Sequence, residues 1–477
     1  MVAVHYLILG AGPTGLGAAR RLQELGVHDW QILEAAPEPG GLAKSFLDEK
    51  GFTWDIGGHV QFSHYEYFDR AMVEFLSEDG WLHHQRESWV WMRDRFIPYP
   101  FQNNIRRLPP EDLNKCLQGL LQITQHPRPK PHNFREWIDA NFGPGLAEVF
   151  MLPYNFKVWA FPPEMMNSIW VGERVTVTDL SRVLTNLALG QDDLSWGPNN
   201  TFQFPKRGGT GAIWSACAKR LPAAQINLNA RAVSIDMGKR EVVTASGERF
   251  GYEHMISTIP LTELIRLSGQ SHLQPIADRG LLYSASHILG IGLRGKPRDE
   301  LATKSWIYFP EDNCPFYRVT VFSNYSPYNV PDINTNWSLM TEVSESPHKA
   351  VNQCQLLEEV IQGALNTRLI DKREDIVSTW LFRAGYGYPT PGLHRDEALA
   401  ELIPFFEERG VYSRGRFGLW KYEVSNQDHS FMQGVEVVDR LVNGLPEITA
   451  VDSHHANSKK HPWPFERWDA THGEAVR

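Results

Sequence analysis

The residues of this chain spaced for chemistry are glycines that leave backbone amides bare and an acid set beyond them. Gly10, Gly12 and Gly15 stand in Gly10-Ala11-Gly12-Pro13-Thr14-Gly15, a G-x-G-x-x-G run suited to binding a pyrophosphate. Gly10 permits a sharp turn, Gly12 lets backbone approach the anion, and Gly15 lets helix and strand pack closely. The amides and positive dipole of a helix opening near Pro13 would face the phosphates. Such a run also occurs where a turn merely joins a strand to a helix. Glu34 discriminates, because an acid roughly 20 residues beyond the glycines accepts ribose hydroxyls and repels a 2′-phosphate. Gly40-Gly41 before Leu42 offers a second bare stretch of backbone. Gly57-Gly58-His59 offers a third, where a flat ring could lie with His59 packed on it or hydrogen-bonded to it. The plainer alternative there is a tight turn with a surface histidine.

These residues require a strand at Leu7–Leu9, a helix over Ala18–Leu25 and a second strand at Trp30–Leu33, in the manner of a dinucleotide-binding unit. Further on, Met255-Ile256-Ser257 reads as an apolar strand closing the same sheet. Lys206-Arg207-Gly208-Gly209-Thr210-Gly211 opens a helix over Ala212–Arg220, as a second phosphate site or only as a helix entry with a basic flank. Gln85–Met92 alternates like a strand, and leucines at 3.6 spacing make Glu111–Ile123 helical, followed by Phe134–Asn141 and Leu146–Tyr154. From about Ser284 to Trp380, strands at His287–Arg294, Lys304–Phe309, Phe316–Phe322 and Trp337–Val343 predict an antiparallel sheet, with a helix at Gln353–Asn366 covering it. A polar turn at Asn426-Gln427 precedes a helix over Gln433–Asn443. The tail from Val451 to Arg477 is expected to lie on the surface or to be disordered.

Length and composition bound the rest. A chain of 477 residues exceeds one ordinary domain. With 47 basic and 56 acidic residues its formal net charge is −9, which leaves no electrostatic footprint for nucleic acid or an anionic membrane. The four cysteines, Cys116, Cys217, Cys314 and Cys354, have neither metal-ligand nor disulfide spacing, so no metal is expected and a reducing cytoplasm fits best. No apolar run reaches about 18 residues and the first strand follows Met1 directly, so neither a membrane span nor a signal peptide is expected.

Glu34 with Gly40-Gly41 resembles the extended FAD-binding motif of amine-oxidase-like flavoproteins, which moves the expected cofactor from NAD to FAD. Longer blocks resemble one family, the eukaryotic-type UDP-galactopyranose mutases. They include Pro98-Tyr99-Pro100-Phe101-Gln102-Asn103-Asn104, Pro153-Tyr154-Asn155-Phe156-Lys157-Val158-Trp159, Gly172-Glu173-Arg174-Val175 and Trp196-Gly197-Pro198-Asn199. Tyr308-Phe309-Pro310-Glu311-Asp312-Asn313-Cys314-Pro315-Phe316-Tyr317-Arg318, Tyr388-Pro389-Thr390-Pro391 and Gly415-Arg416-Phe417-Gly418 continue the likeness. It departs at Leu152, where fungal members carry a basic residue, and between Tyr328 and Trp337, where they carry an insertion.

The resemblance implies an α/β fold with α+β lobes added: a Rossmann-like FAD-binding domain with an inserted helical lobe and an antiparallel β-sheet substrate lobe. The expected division is 1–84, 200–265 and 412–477 for the FAD-binding domain, 105–195 for the helical lobe, and 85–104 with 266–411 for the sheet lobe. It further implies interconversion of UDP-galactopyranose and UDP-galactofuranose through attack of reduced FAD N5 on the anomeric carbon, without net redox and with NAD(P)H as reductant. Arg174 and Arg318 would clamp the pyrophosphate, with Tyr325, Tyr388 and Tyr422 on the same phosphates. Tyr99, Gln102, Phe150, Asn155 and Trp159 would form the uridine pocket, and Asn199, Trp306 and Tyr308 would line the sugar site. His59 and the Gly58 carbonyl would meet the flavin near N5, while Arg86, Ser88, Arg416, Asn426 and Gln427 would hold or tune it. A homo-oligomer is possible on this resemblance. The rival expectations are a mutase of another nucleotide sugar, an amine-oxidase-like FAD oxidoreductase, and a non-catalytic FAD-binding protein.

Overall fold

A computed structural model describes residues 2–125, 130–194, 200–462, 467–469 and 474–476. The strand Val2–Leu9 lies inside a seven-stranded sheet, parallel to Trp30–Leu33 on one side and to Arg249–Ser257 on the other. Leu7, Ile8 and Leu9 are all buried, as a parallel strand covered on both faces requires. Arg249–Ser257 does not close this sheet as expected. Its far side is shared by antiparallel Glu241–Thr244 and parallel Val411–Ser413, so it too is interior. The helix Pro13–Glu24 has proline at its start, where a missing N–H costs nothing, and buries Leu16, Ala18, Ala19 and Leu22. Against it packs Gln427–Asn443, a helix that begins six residues before the expected Gln433 and so makes Asn426 its N-cap.

A second seven-stranded sheet runs in the order Ile376–Pro389, Tyr283–Arg294, Asn336–Glu345, Arg318–Val321, Trp306–Tyr308, Ser88–Met92 and Arg95–Pro98. It is antiparallel except where Trp306–Tyr308 pairs in parallel with Ser88–Met92. The 14-residue strand Ile376–Pro389 extends well past Trp380, where the strand-like text was expected to end. The single strand expected over Gln85–Met92 is two. Trp81–Gln85 pairs with Thr201–Pro205, and Ser88–Met92 joins the large sheet, so Arg86 sits at the crossing.

The helices Pro110–Gln125, Phe134–Leu146, Leu152–Trp159 and Leu180–Leu189 pack to one side. Phe134–Leu146 kinks at Gly143, ahead of Pro144. Between it and Leu152–Trp159 the chain forms a five-residue π-helix, Ala147–Met151, the kind of widened turn that often marks a functional site. Here it delivers Phe150 and Met151 to the cleft described below. The tail does not lie wholly on the surface: Ser453–Ser458 is a helix, and His461 is buried. No helix of the described residues is long and apolar enough to cross a membrane.

Candidate active site

A cleft of about 1200 Å³ runs from the first sheet's glycine turn to the second sheet and the π-helix. At its first end Gly10 has φ of 101°, and a Cβ on Gly15 would stand 1.9 Å from the Gly10 carbonyl oxygen. Only glycine allows that turn and that approach of helix to strand. Glu34, at the end of Trp30–Leu33, accepts the Ala11 and Ala36 amides at 2.7 and 2.8 Å, which aims its carboxylate into the cleft mouth. Gly12 and Gly41 face each other across the groove without side chains. The second glycine-rich helix start is a helix entry. Asp55 accepts the Thr210 amide, while the Ser45 hydroxyl donates to Asp55 and accepts the Gly211 amide, so a buried carboxylate already occupies the anion position. Burial pushes the Asp55 carboxyl up to about 6.

At the middle of the cleft one carboxylate organises the rest. Glu342, buried on Asn336–Glu345, accepts Arg318 Nε and Nη2 at 2.8 Å each, the Tyr317 hydroxyl at 2.7 Å and the Gly58 amide at 3.0 Å. Burial alone would raise its pKa, but Arg318 and these donors outweigh that and hold it below the usual range. Gly58 is thereby pinned where a Cβ would lie 2.6 Å from Thr320 Oγ1 and 2.8 Å from Trp306 Nε1. Both of those atoms, and His59 Nδ1, are buried without a hydrogen-bond partner among the described residues. Burial lowers the His59 pKa to about 4, against the pull of Glu342 and with the push of Arg416 and Arg318, so the imidazole is neutral. A bare backbone beside unmet donors and a neutral ring fits a flat, polar heterocycle better than another charge.

Three guanidiniums surround the space beyond. Arg318 lines the cleft and spends Nε and Nη2 on Glu342. Arg174 donates to the Glu423 carbonyl at 2.6 Å and lies 5.6 Å over the Tyr422 ring. Arg416 donates to the Gly387 carbonyl and the Ser425 hydroxyl at 3.0 and 2.7 Å, and burial lowers its pKa. Among the described residues no carboxylate pairs with Arg174 or Arg416. A half-buried cluster of this kind calls for an anion from outside.

Aromatic rings wall the far end. Phe150 stacks on Tyr154 at 5.2 Å with 7° between planes, and Tyr154 meets Tyr308 edge-on. Trp159 packs edge-on against Tyr422 and Tyr388. Gln102 donates to the Thr176 carbonyl, and Asn155 to the Met151 carbonyl. Arg86, from the crossing of two sheets, lies 4.7 Å over Trp306 and donates to Ser88 Oγ at 2.8 Å.

Most residues singled out in the sequence line this cleft: Gly10, Gly12, Glu34, Gly41, Leu42, Gly57, Gly58, His59, Arg86, Tyr99, Gln102, Phe150, Asn155, Trp159, Arg174, Trp306, Tyr308, Arg318, Tyr388, Arg416, Tyr422, Asn426 and Gln427. Others stand behind it. Gly15 packs helix on strand, Gly40 precedes Gly41 in a left-handed turn, and Ser88 holds Arg86. Tyr325 is not in the wall. It is 1% exposed, packed among Phe202, Phe204 and Phe322, with its hydroxyl buried and unpartnered. Asn199 lies outside the described residues. Sequence reading missed Glu342, although an acid inside the apolar strand text Leu339-Met340-Thr341-Glu342-Val343 is itself a signal. It also missed Asn457 of the tail, which lines the cleft.

The flavin-containing amine oxidoreductase family matches residues 13–392, so the chain is of that class and its cofactor is a flavin. Among solved structures, reduced UDP-galactopyranose mutase is 48% identical over 97% of this chain and 99% of its own, with a TM-score of 0.93. The chain belongs to the UDP-galactopyranose mutase family. A CLA-producing fatty acid isomerase from P. acnes (15% identity, 92% of this chain and 99% of that one, TM-score 0.62) and putrescine oxidase bound to putrescine (15%, 93% and 99%, TM-score 0.59) share the fold alone.

Proposed function

We propose that this enzyme interconverts UDP-galactopyranose and UDP-galactofuranose with a resident FAD that works reduced. The observation that carries the reading is the trio Arg174, Arg318 and Arg416, of which, among the described residues, Arg318 alone has an acidic partner, set between a dinucleotide cradle and an aromatic wall. A nucleoside diphosphate has that sequence of needs: guanidinium forks for the phosphates and ring faces for the base. Arg174 and Arg318 approach the diphosphate, and Phe150, Tyr154 and Tyr99 receive the uracil. A reduced flavin, held by the Gly10–Gly15 turn, Glu34 and the backbone at Gly57 and Gly58, would supply an electron-rich ring nitrogen as nucleophile.

Around that chemistry the chain's own groups have electrostatic and positional tasks. The arginines stabilise the negative charge that builds on the departing diphosphate. Glu342 keeps Arg318 oriented and fixes the Gly58 amide. His59, neutral through burial, adds no charge beside the sugar. NAD(P)H is the proposed reductant, needed only to load electrons. The test is chromatography of UDP-galactofuranose incubated with dithionite-reduced protein, where appearance of the six-membered-ring isomer is expected. No conversion, or hydrogen peroxide on adding a small amine, would overturn the reading.

A further inference from the structure

The tail does more than cover the surface. Ser453–Ser458 is a short helix whose Asn457 faces the cleft, and Asn457 Nδ2 donates to the Glu423 carbonyl at 3.0 Å and to the Ser453 carbonyl at 2.7 Å. The same Glu423 carbonyl accepts Arg174 Nη2 at 2.6 Å, so both of its lone pairs are taken, one by the arginine and one by the tail. The Glu423 carboxylate is gripped by buried Arg395 through two bonds of 2.8 Å. Beyond Asn457 the chain pairs with the segment that follows His59. His461 N–H donates to the His64 carbonyl at 2.6 Å, Glu66 N–H donates to the His461 carbonyl at 2.9 Å, and the His461 ring stacks on Tyr65 at 5.1 Å. Lys421 Nζ holds the start of the segment through the Ala450 carbonyl.

We infer that Asp452–Pro462 completes the cleft and that Asn457 is a positioning residue for the diphosphate end of the substrate. It fixes the turn Tyr422–Val424, and through the shared carbonyl it sets where the Arg174 guanidinium stands. The residue type suits the task. An amide donor leaves the Arg174 charge uncompensated, whereas an acid at this place would fill the anion site from within, and a lysine would repel the arginine.

The inference rests on the UDP-sugar reading of the cleft, and the experiment separates the two. Flavin-loaded wild type and Asn457→Ala are titrated calorimetrically with UDP and with uridine, and assayed for KM and kcat. Loss of one hydrogen bond to a positioning carbonyl should weaken UDP binding by roughly three- to tenfold and raise KM to match. Uridine affinity, kcat, flavin content and Tm should hold, and Asn457→Gln, which keeps a donor, should recover part of the loss. Unchanged UDP affinity in Asn457→Ala overturns the inference. So does an equal loss for UDP and uridine accompanied by lost flavin or lowered Tm, which marks a merely structural tail. Wild type that binds no UDP overturns instead the reading of the cleft itself.

Discussion

Arg174 and Arg318 resemble each other in sequence but not in their surroundings. Arg174 leans on a carbonyl, so Arg174→Ala strands no charge. UDP affinity should fall by about 1.5–3 kcal/mol, the worth of hydrogen bonds to a charged group, with flavin content and Tm held. Equal UDP affinity in calorimetry would remove Arg174 from the site. Arg318→Ala, in contrast, leaves Glu342 buried and unpaired, and breaking such a pair costs about 3–5 kcal/mol. Its measured effect on UDP should therefore come with a lowered denaturation midpoint, which Arg174→Ala lacks. Asp55 gives a pH signature of its own. Its folded carboxyl titrates near 6, above the unfolded value of about 4, so the folded state keeps a proton that the unfolded state releases. The stability it contributes is full below about pH 4 and declines as pH rises to about 6. Asp55→Asn should flatten that decline in urea titrations at pH 4 and pH 7, and an unaltered difference between the two would refute the assignment.

Elements decide which of these residues could be found beforehand. The glycine turn and Glu34 were legible because turn, helix and second strand lie within one short unit, where local geometry dictates glycine. Gly15→Ala tests it: the added carbon cannot stand 1.9 Å from the Gly10 oxygen, so the helix must move off the strand. Purified Gly15→Ala should show a flavin band well below wild type relative to protein absorbance, and a full band would deny that the turn is the cradle. Glu342 stood out as an acid in apolar strand text, but its task could not be read because only strand pairing sets it opposite Arg318 on the neighbouring strand. The Lys206–Gly211 start could not be decided because its occupant, Asp55, arrives from 155 residues away. Asn457 was hidden in polar text whose partner, Glu423, lies 34 residues upstream. Tyr325 stands behind the wall among aromatic rings, with its hydroxyl buried and unpartnered, a placement that a motif tyrosine does not report in sequence.

At the scale of the whole molecule, the cleft draws on both large sheets, the π-helix and the tail, so catalysis should require the assembled chain with its cofactor in one oxidation state. Oxidised protein should be inactive, and activity should appear with dithionite and persist for many turnovers without further reductant. Continuous oxidation of NAD(P)H in step with turnover would contradict a flavin that acts without net redox. The four cysteines are free, three of them buried and none in the cleft wall, so trichloroacetic acid should release the colour into solution. The pairing of Arg318 with Glu342 carries one more consequence, for folding. Side chains alternate along a strand, so a slip of one residue in Asn336–Glu345 would turn Glu342 away and present Thr341 or Val343 in its place. Arg318 and the Gly58 amide would lose their partner together. Strand alignment and assembly of the cleft's centre are thus one event, settled by the same carboxylate.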